Sequence, residues 1–209
     1  MPWPWRSPAG SSAEAVDTQP PAPTKPLLRQ HYRSRRGALL AATEAPLLAL
    51  AAEHLANWIP ADRRLGLYWP LPGEADLRLL SQHPPLQGRL ALPRIEAGRL
   101  HYRPWQPGDP LTPDDARIPA PSTGPLLEPE HLGLVLAPAL AFDCAGIRLG
   151  YGGGWFDRLR TDPAWRAIPA LAVLPSGCLV ERLPRDAWDI PFHGWLDETG
   201  LHWLKLASA

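Results

Sequence analysis

Proline is the strongest constraint on this chain: 28 of its 209 residues are proline, spread along the whole length. Each one fixes φ and removes a backbone donor, so long uninterrupted helices and interior strands have few places to form. That argues against a helical bundle and for short elements joined by many turns. The stretches that escape proline become the informative ones. LGLVLAP (132–138) is a continuous apolar run, the pattern of a central strand buried on both faces. IPALAVL (168–174) reads the same way. LGLYW (65–69), RLALP (89–93) and RLHYRPW (99–105) read as shorter strands, and two more are expected near His193–Leu196 and His202–Leu206.

Helical patterns alternate with these strands. Leu27, Leu28, Tyr32, Leu39 and Leu40 lie among arginines, which predicts a basic amphipathic helix from Lys25. Thr43 and Glu44 before Pro46 suit the first turn of a second helix, to about Trp58. Shorter helices are expected over Ala75–Gln82 and Trp155–Arg160, and the Pro-rich segment 106–131 is expected to be one long loop. The sum is an α/β fold: a single layered domain with a largely parallel central sheet flanked by helices. Residues 1–24 hold clustered prolines around a Ser/Ala stretch and are expected to be a disordered leader; the folded domain is then 25–209.

Charge and cysteine usage limit the partners. Lys plus Arg and Asp plus Glu each number 21, so the net charge is zero, which argues against a broadly basic nucleic-acid binder and leaves only a local basic patch open. No apolar run approaches the roughly 20 residues of a membrane span, and the N-terminus lacks the apolar stretch of a secretory signal. Cys144 and Cys178 form no metal-binding cluster with histidine. Two thiols in a chain of this length point to a reducing compartment, and the cytoplasm is the expected location.

The chemistry is concentrated in APALAFDCAGIRLGYGGGWFDRLR, residues 137–160. A buried strand ends at Pro138, and Gly150, Gly152, Gly153 and Gly154 then precede a helix. Glycines let a backbone approach a ligand closely, and successive N–H groups at a helix start form an anion nest. Arg148 adds a cation, and Asp157 adds a carboxylate of the kind that holds Mg²⁺ alongside phosphate oxygens. The segment is neither a P-loop nor a dinucleotide fingerprint, since GxxxxGK[ST] and GxGxxG are both absent. On the residues alone, it is either a structural turn or a phosphate cradle. Lys25, Arg29, Arg33 and Arg36 share one helix face, which is either solvated or an anion site.

RLGYGGGWFDR resembles the signature of the 5-formyltetrahydrofolate cyclo-ligases (5,10-methenyltetrahydrofolate synthetases), whose segment runs roughly PGxAFDxxGxRLGYGxGYYD. The shared positions are Pro138, Ala141, Phe142, Asp143, Gly146, Arg148, Leu149, Gly150, Tyr151, Gly152, Gly154 and Asp157. Lys25 with Arg29 is similar to the family's N-terminal KxxxR, and LYWPLPGEAD, RLALPRIEAGRLHYRPW and ERLPRDAWDIP resemble further blocks. The likeness spans about residues 25–197. Four departures stand out: Ala139 replaces a glycine, Trp155 and Phe156 replace a tyrosine pair, VLPSGC lacks the usual aromatic, acidic and Gln residues, and Trp188 stands where histidine often precedes Asp189.

The resemblance implies an α/β domain with nucleotide and folate in one cleft. It implies ATP-dependent cyclisation of 5-formyltetrahydrofolate to 5,10-methenyltetrahydrofolate, with ATP as co-substrate and Mg²⁺ as cofactor. Lys25, Arg29, Arg148, Leu149, Gly150, Tyr151, Gly152, Gly153, Gly154, Trp155 and Phe156 would bind ATP; Arg148 and Tyr151 would be catalytic. Trp69, Glu74, Tyr151 and Trp155 would contact the folate, and Asp157 with Asp189 would serve the metal. Asp189 is equally read as a solvated loop acid, and Asp143 as a turn cap. Two other readings remain: a non-catalytic folate- or nucleotide-binding protein of this fold, and an unrelated phosphotransferase. Deleting residues 1–24 is expected to leave activity and melting temperature nearly unchanged; a loss of several degrees would mean that Trp3 or Trp5 docks onto the body.

Overall fold

The computed structural model describes residues 24–205. The expected leader up to residue 23, with Trp3 and Trp5, and residues 206–209 lie outside them. Helix α1 runs over Lys25–His54, with Pro26 in the first turn, where its missing N–H has no intrahelical partner to lose. The expected break before Pro46 does not occur, because Pro46 lies inside this one helix. A mid-helix proline costs about 3 kcal/mol, and tertiary anchoring on both sides of it offsets that. Before it, Glu44 Oε1 accepts from the Asp76 N–H at 2.8 Å; after it, Leu47, Ala51 and Leu55 are buried. Although no unbroken apolar run reaches a span, the helical stretch Lys25–Trp58 is long and apolar enough to cross a membrane by length and composition, with mean hydropathy 1.3 in its most apolar window. In the fold its Leu47 and Ala51 lie against the sheet.

The strands are β1 (Arg64–Gly66), β2 (Leu90–Glu96), β3 (Arg99–Trp105), β4 (Leu111–Pro113), β5 (Pro119–Pro121), β6 (Leu132–Pro138), β7 (Ala141–Asp143), β8 (Arg148–Leu149), β9 (Ala170–Val173), β10 (Leu179–Val180), β11 (Gly194–Asp197) and β12 (Gly200–Trp203). Seven of them form one sheet in the order β12-β11-β9-β6-β1-β2-β3. The inner pairings, β11 to β9, β9 to β6, β6 to β1 and β1 to β2, are all parallel. Antiparallel hairpins close both edges, β11–β12 and β2–β3. The mostly parallel sheet expected from the sequence is therefore present, flanked by α1, α2 (Trp155–Leu159) and α3 (Pro163–Ala167).

Alternation along the strands divides the core. Leu134, Leu136, Leu171 and Val173 face the cluster that holds Leu47 and Ala51 of α1 and Leu55 just after it. Val135, Ala137, Ala170 and Ala172 face the opposite cluster, where small side chains leave room for Tyr102, Phe142 and Phe192. The segment 106–131 is not a plain loop: β4 and β5 form a hairpin within it. Their prolines sit at strand ends, where a missing donor does not break the ladder. The Ala75–Gln82 helix is a short 3-10 segment, Arg78–Gln82.

Two features place the site. From β1 the chain proceeds to β2 on one side, and from β6 to β9 on the other, so a crevice opens between the carboxyl ends of β1 and β6. A second sheet, β10-β7-β8, then presents Arg148. Buried Asp143 pins it, its carboxylate accepting from the N–H groups of Ala145, Ile147 and Leu183 at 3.0, 2.9 and 2.9 Å. Asp143 is thus a turn cap. Asp143→Ala leaves these donors orphaned and is expected to lower the unfolding free energy by roughly 2–4 kcal/mol, with Asp143→Asn losing about half as much. Urea titration measures this, and an unchanged midpoint in Asp143→Ala would remove the assigned role.

Candidate active site

The crevice holds a cavity of about 440 Å³. Its lining comes from the first turns of α1, the segment after β1, one face of the β2–β3 hairpin, the β4–β5 turn, the Gly-rich loop and the connection between β10 and β11. Every site residue expected from the sequence lines this cavity: Lys25, Arg29, Trp69, Glu74, Arg148 through Asp157, and Asp189.

The loop is built for close approach. Gly152 and Gly154 have φ of +103° and +63°, a region that side-chain-bearing residues rarely adopt. Arg29 Nε donates to the Gly150 carbonyl at 3.0 Å and fixes the loop against α1. Helix α2 spans only five residues, so little macrodipole is available at its start, and the loop N–H groups are the main local positive dipoles. Trp155 and Phe156 line the cavity but also pack against the core cluster of Phe142 and Phe192.

Arg148 is held between two rings, its guanidinium carbon 5.2 Å from the Phe156 centroid and 5.3 Å from that of Phe192. It donates to the Pro138 carbonyl at 3.2 Å and lies 3.5 Å from Asp157. Burial lowers its pKa, while Asp157, Asp189 and Glu74 oppose that. An arginine starts so high that it stays a cation at neutral pH.

Lys25 bridges two carboxylates, Asp186 at 2.7 Å and Asp189 at 2.6 Å. Burial acts against its charge, but the hydrogen bonds it donates to Asp186 and Asp189 prevail and raise its pKa above the ordinary lysine value. Asp189 also accepts from the Asp186 N–H at 2.8 Å, which locks the DAWD turn. Both carboxylates expected to serve a metal are therefore matched by protein cations. Among the described residues no group of three or more His, Cys, Asp or Glu side chains is arranged to hold a metal alone. The donor set fits only an ion that arrives with phosphate oxygens of its own.

At the segment after β1, Glu74 is buried with its side chain 1% exposed. Its Oε2 accepts from the Leu71 N–H at 2.8 Å, and its Oε1 has no hydrogen-bond partner. Burial raises its pKa; the Leu71 N–H, Arg36, the Tyr151 hydroxyl and Arg148 each pull it back. Trp69 has one ring face covered by Arg78, 4.0 Å from the centroid, and Arg78 is itself clamped by Asp76 at 2.8 and 2.6 Å.

Sequence reasoning missed three contributors. Arg36, on a helix face that the sequence leaves open between solvated and anion-binding, is 2% exposed and sits beneath the site. Its spacing from Lys25 and Arg29 was the available signal. Asp186 joins Asp189 in a DxxD turn. The turn 114–118, with buried Asp114 accepting from the Ile95, Ala116 and Ile118 N–H groups at 3.0, 2.9 and 2.9 Å, forms a wall with no local signal beyond its place in a long Pro-rich segment.

A sequence profile settles the kinship of this arrangement: the profile of the 5-formyltetrahydrofolate cyclo-ligase family matches residues 21–195. The chain belongs to the 5-formyltetrahydrofolate cyclo-ligase family. It is 30% identical over 169 residues to the 5-formyltetrahydrofolate cyclo-ligase of Escherichia coli, across 76% of this chain and 92% of that protein. The Haemophilus influenzae 5-formyltetrahydrofolate cyclo-ligase is 26% identical over 172 residues, across 78% and 92%. The NMR structure of 5,10-methenyltetrahydrofolate synthetase from Aquifex aeolicus superposes with a TM-score of 0.68 at 28% identity, covering 88% of this chain and 95% of that one. The Mycoplasma pneumoniae 5,10-methenyltetrahydrofolate synthetase shares the fold with a TM-score of 0.64 at 18% identity, over 83% and 98%.

The Lys25 bridge makes a prediction for this cyclo-ligase. Lys25→Met leaves two acids adjacent without their cation. The partly exposed bridge is expected to contribute about 1 kcal/mol at low ionic strength and less in about 1 M salt. With a raised Lys25 pKa, that contribution is complete at neutral pH and is lost as pH rises through the folded-state value. Denaturation of both proteins at pH 7 and above pH ~10.5 checks this; an equal stability gap at both pH values would remove the assignment.

Proposed function

We propose that the residues of this cavity divide between nucleotide and folate in the family's reaction, ATP-dependent cyclisation of 5-formyltetrahydrofolate to 5,10-methenyltetrahydrofolate with release of ADP and phosphate. The observation that carries the assignment is one cavity lined both by a Gly-rich loop with Lys25, Arg29 and Arg148 and by a buried carboxylate, Glu74, with an unpartnered oxygen. The first set matches a triphosphate and the second a flat heterocycle with N–H donors.

The formyl oxygen of an amide is a poor leaving group. It attacks the γ-phosphorus, the bond from that phosphorus to ADP breaks, and a phosphorylated formyl group results. N10 then attacks the activated carbon and gives up its proton, the carbon–oxygen bond breaks, and phosphate leaves with the former formyl oxygen. Little covalent work is asked of the protein, so its task is positioning and charge neutralisation. The N–H groups of Gly150–Gly154 cradle the phosphates, and Arg148, held between Phe156 and Phe192, neutralises charge on the transferred group. Arg29 orders the loop, and Lys25 lies at its rim. Tyr151 stands where the two sets meet, in the loop and beside Glu74, and is assigned the catalytic role with Arg148. Glu74 accepts the heterocycle's N–H donors through Oε1, against the wall of Trp69. A Mg²⁺ ion carried by the nucleotide would be held by Asp157 and Asp189 and would add positive charge at the phosphates. The free thiols Cys144 and Cys178 support the cytoplasm as the site of this reaction.

The first test is the appearance of methenyl-folate absorbance on mixing 5-formyltetrahydrofolate with Mg-ATP. Folate binding without ATP-dependent product would favour a non-catalytic binder, and equal turnover after EDTA treatment would remove the metal assignment. The second test separates the two halves by calorimetry. Asp157→Asn is expected to keep folate affinity and lose most turnover. Glu74→Gln is expected to weaken folate by roughly 1.5–3 kcal/mol, the value of a hydrogen bond to a charged group, with ATP affinity almost unchanged. Loss of ATP but not folate in Glu74→Gln would reverse the assignment.

A further inference from the structure

Arg36 belongs to none of the roles above, yet it is among the most buried side chains of the protein. One guanidinium reaches three parts of the site. Its NH1 donates to the Ala139 carbonyl at 3.1 Å, where the chain leaves β6. Its NH2 donates to the Tyr151 hydroxyl. Its NH1 also stands 3.6 Å from Glu74 Oε1, the oxygen with no hydrogen-bond partner. The Tyr151 ring lies beside it, 5.4 Å from the guanidinium carbon to the centroid, with Arg33 at 5.1 Å.

Simple stability does not account for this choice. Buried ion pairs are on average no more stabilising than apolar residues of the same volume, and Arg36 Nε is left without a partner. We infer that Arg36 is a positioning residue, which couples the loop tyrosine to the substrate-side carboxylate by holding both on one rigid guanidinium. The inference rests on the reading of Glu74 as the folate-binding carboxylate.

The coupling has two consequences. NH2 fills an acceptor site on the Tyr151 oxygen, so the phenol proton is left to interact with Glu74, whose pKa the hydroxyl lowers. The adjacent guanidinium pulls the Glu74 pKa down against the burial that raises it. The groups facing Glu74 are Arg36 on α1, Tyr151 in the loop, Arg148 on β8 and the phenol of Tyr68; the acids Glu44 and Asp76 face Tyr68 from farther out. Of the cations among these, Arg36 acts most strongly on Glu74. Without it, burial is opposed mainly by the Leu71 N–H, and the Glu74 pKa rises further.

Two substitutions separate the effects. Arg36→Met removes the charge, and Arg36→Lys keeps a charge without the fork. In Arg36→Met, infrared difference spectra at pH 7 are expected to show a protonated carboxyl, assigned by its disappearance in the Arg36→Met, Glu74→Gln double variant. The KM for 5-formyltetrahydrofolate is expected to rise about tenfold at pH 7, as for one lost charge-assisted hydrogen bond, and to recover as pH rises and Glu74 ionises. In Arg36→Lys the folate KM is expected to stay near wild type while kcat falls, because one ammonium cannot hold Tyr151 and Ala139 together. Absence of the protonated carboxyl in Arg36→Met overturns the tie to Glu74, and wild-type kcat in Arg36→Lys overturns the tie to Tyr151. An unchanged folate KM in Glu74→Gln alone overturns the reading of Glu74 as folate-binding, while the infrared band still decides what Arg36 does. If Arg36→Met does not fold, Arg36→Lys supplies the decision through the split between KM and kcat.

Discussion

The parallel pairing of β1 with β6 is the constraint on which the rest depends. Leu65 pairs with Leu134 and Gly66 with Val135, at the middle of a sheet covered on both faces. Contact is so close that a Cβ on Gly66 would lie 3.0 Å from the Tyr102 ring. The chain leaves these two strands in opposite directions, so a crevice opens at their carboxyl ends. The segment with Trp69 and Glu74 hangs from one strand end, and the route to Arg148 and the Gly-rich loop from the other. Rigid strand ends are what allow irregular segments to hold a fixed geometry.

Electrostatics then shapes the crevice. The chain as a whole has no net charge, yet Lys25, Arg29, Arg36 and Arg148 gather at or beneath one cavity. Most are restrained by an acid: Lys25 by Asp186 and Asp189, Arg148 by Asp157, Arg36 by Glu74. Arg29 is restrained by a loop carbonyl instead. Cations fixed in this way are oriented before any ligand arrives, and a preorganised charge costs no reorganisation when phosphate charge moves. The same pairing explains why the carboxylates here do not form a free-standing metal site.

The sequence by itself determined the elements whose signal is local. The unbroken apolar runs at β6 and β9 mark strands buried on both faces, and the apolar pattern of RLHYRPW gives β3 over Arg99–Trp105. The Gly-rich loop and its flanking Arg148 and Asp157 were legible because a motif confined to neighbouring residues keeps its spacing in any fold. Strands of two or three residues, such as β7, β8 and β10, offer no period to read. The tertiary structure alone decided the strand order, the passage of α1 through Pro46 and the roles of its arginines. Arg33 and Arg36 are near neighbours of the same type on one helix, yet one is exposed and the other is nearly sealed against Glu74, Tyr151 and Ala139. Helical spacing tells which side chains share a face. It does not tell how far across that face the packed body extends, because that edge is drawn by residues far along the chain, Ala139 and Tyr151 more than a hundred positions away.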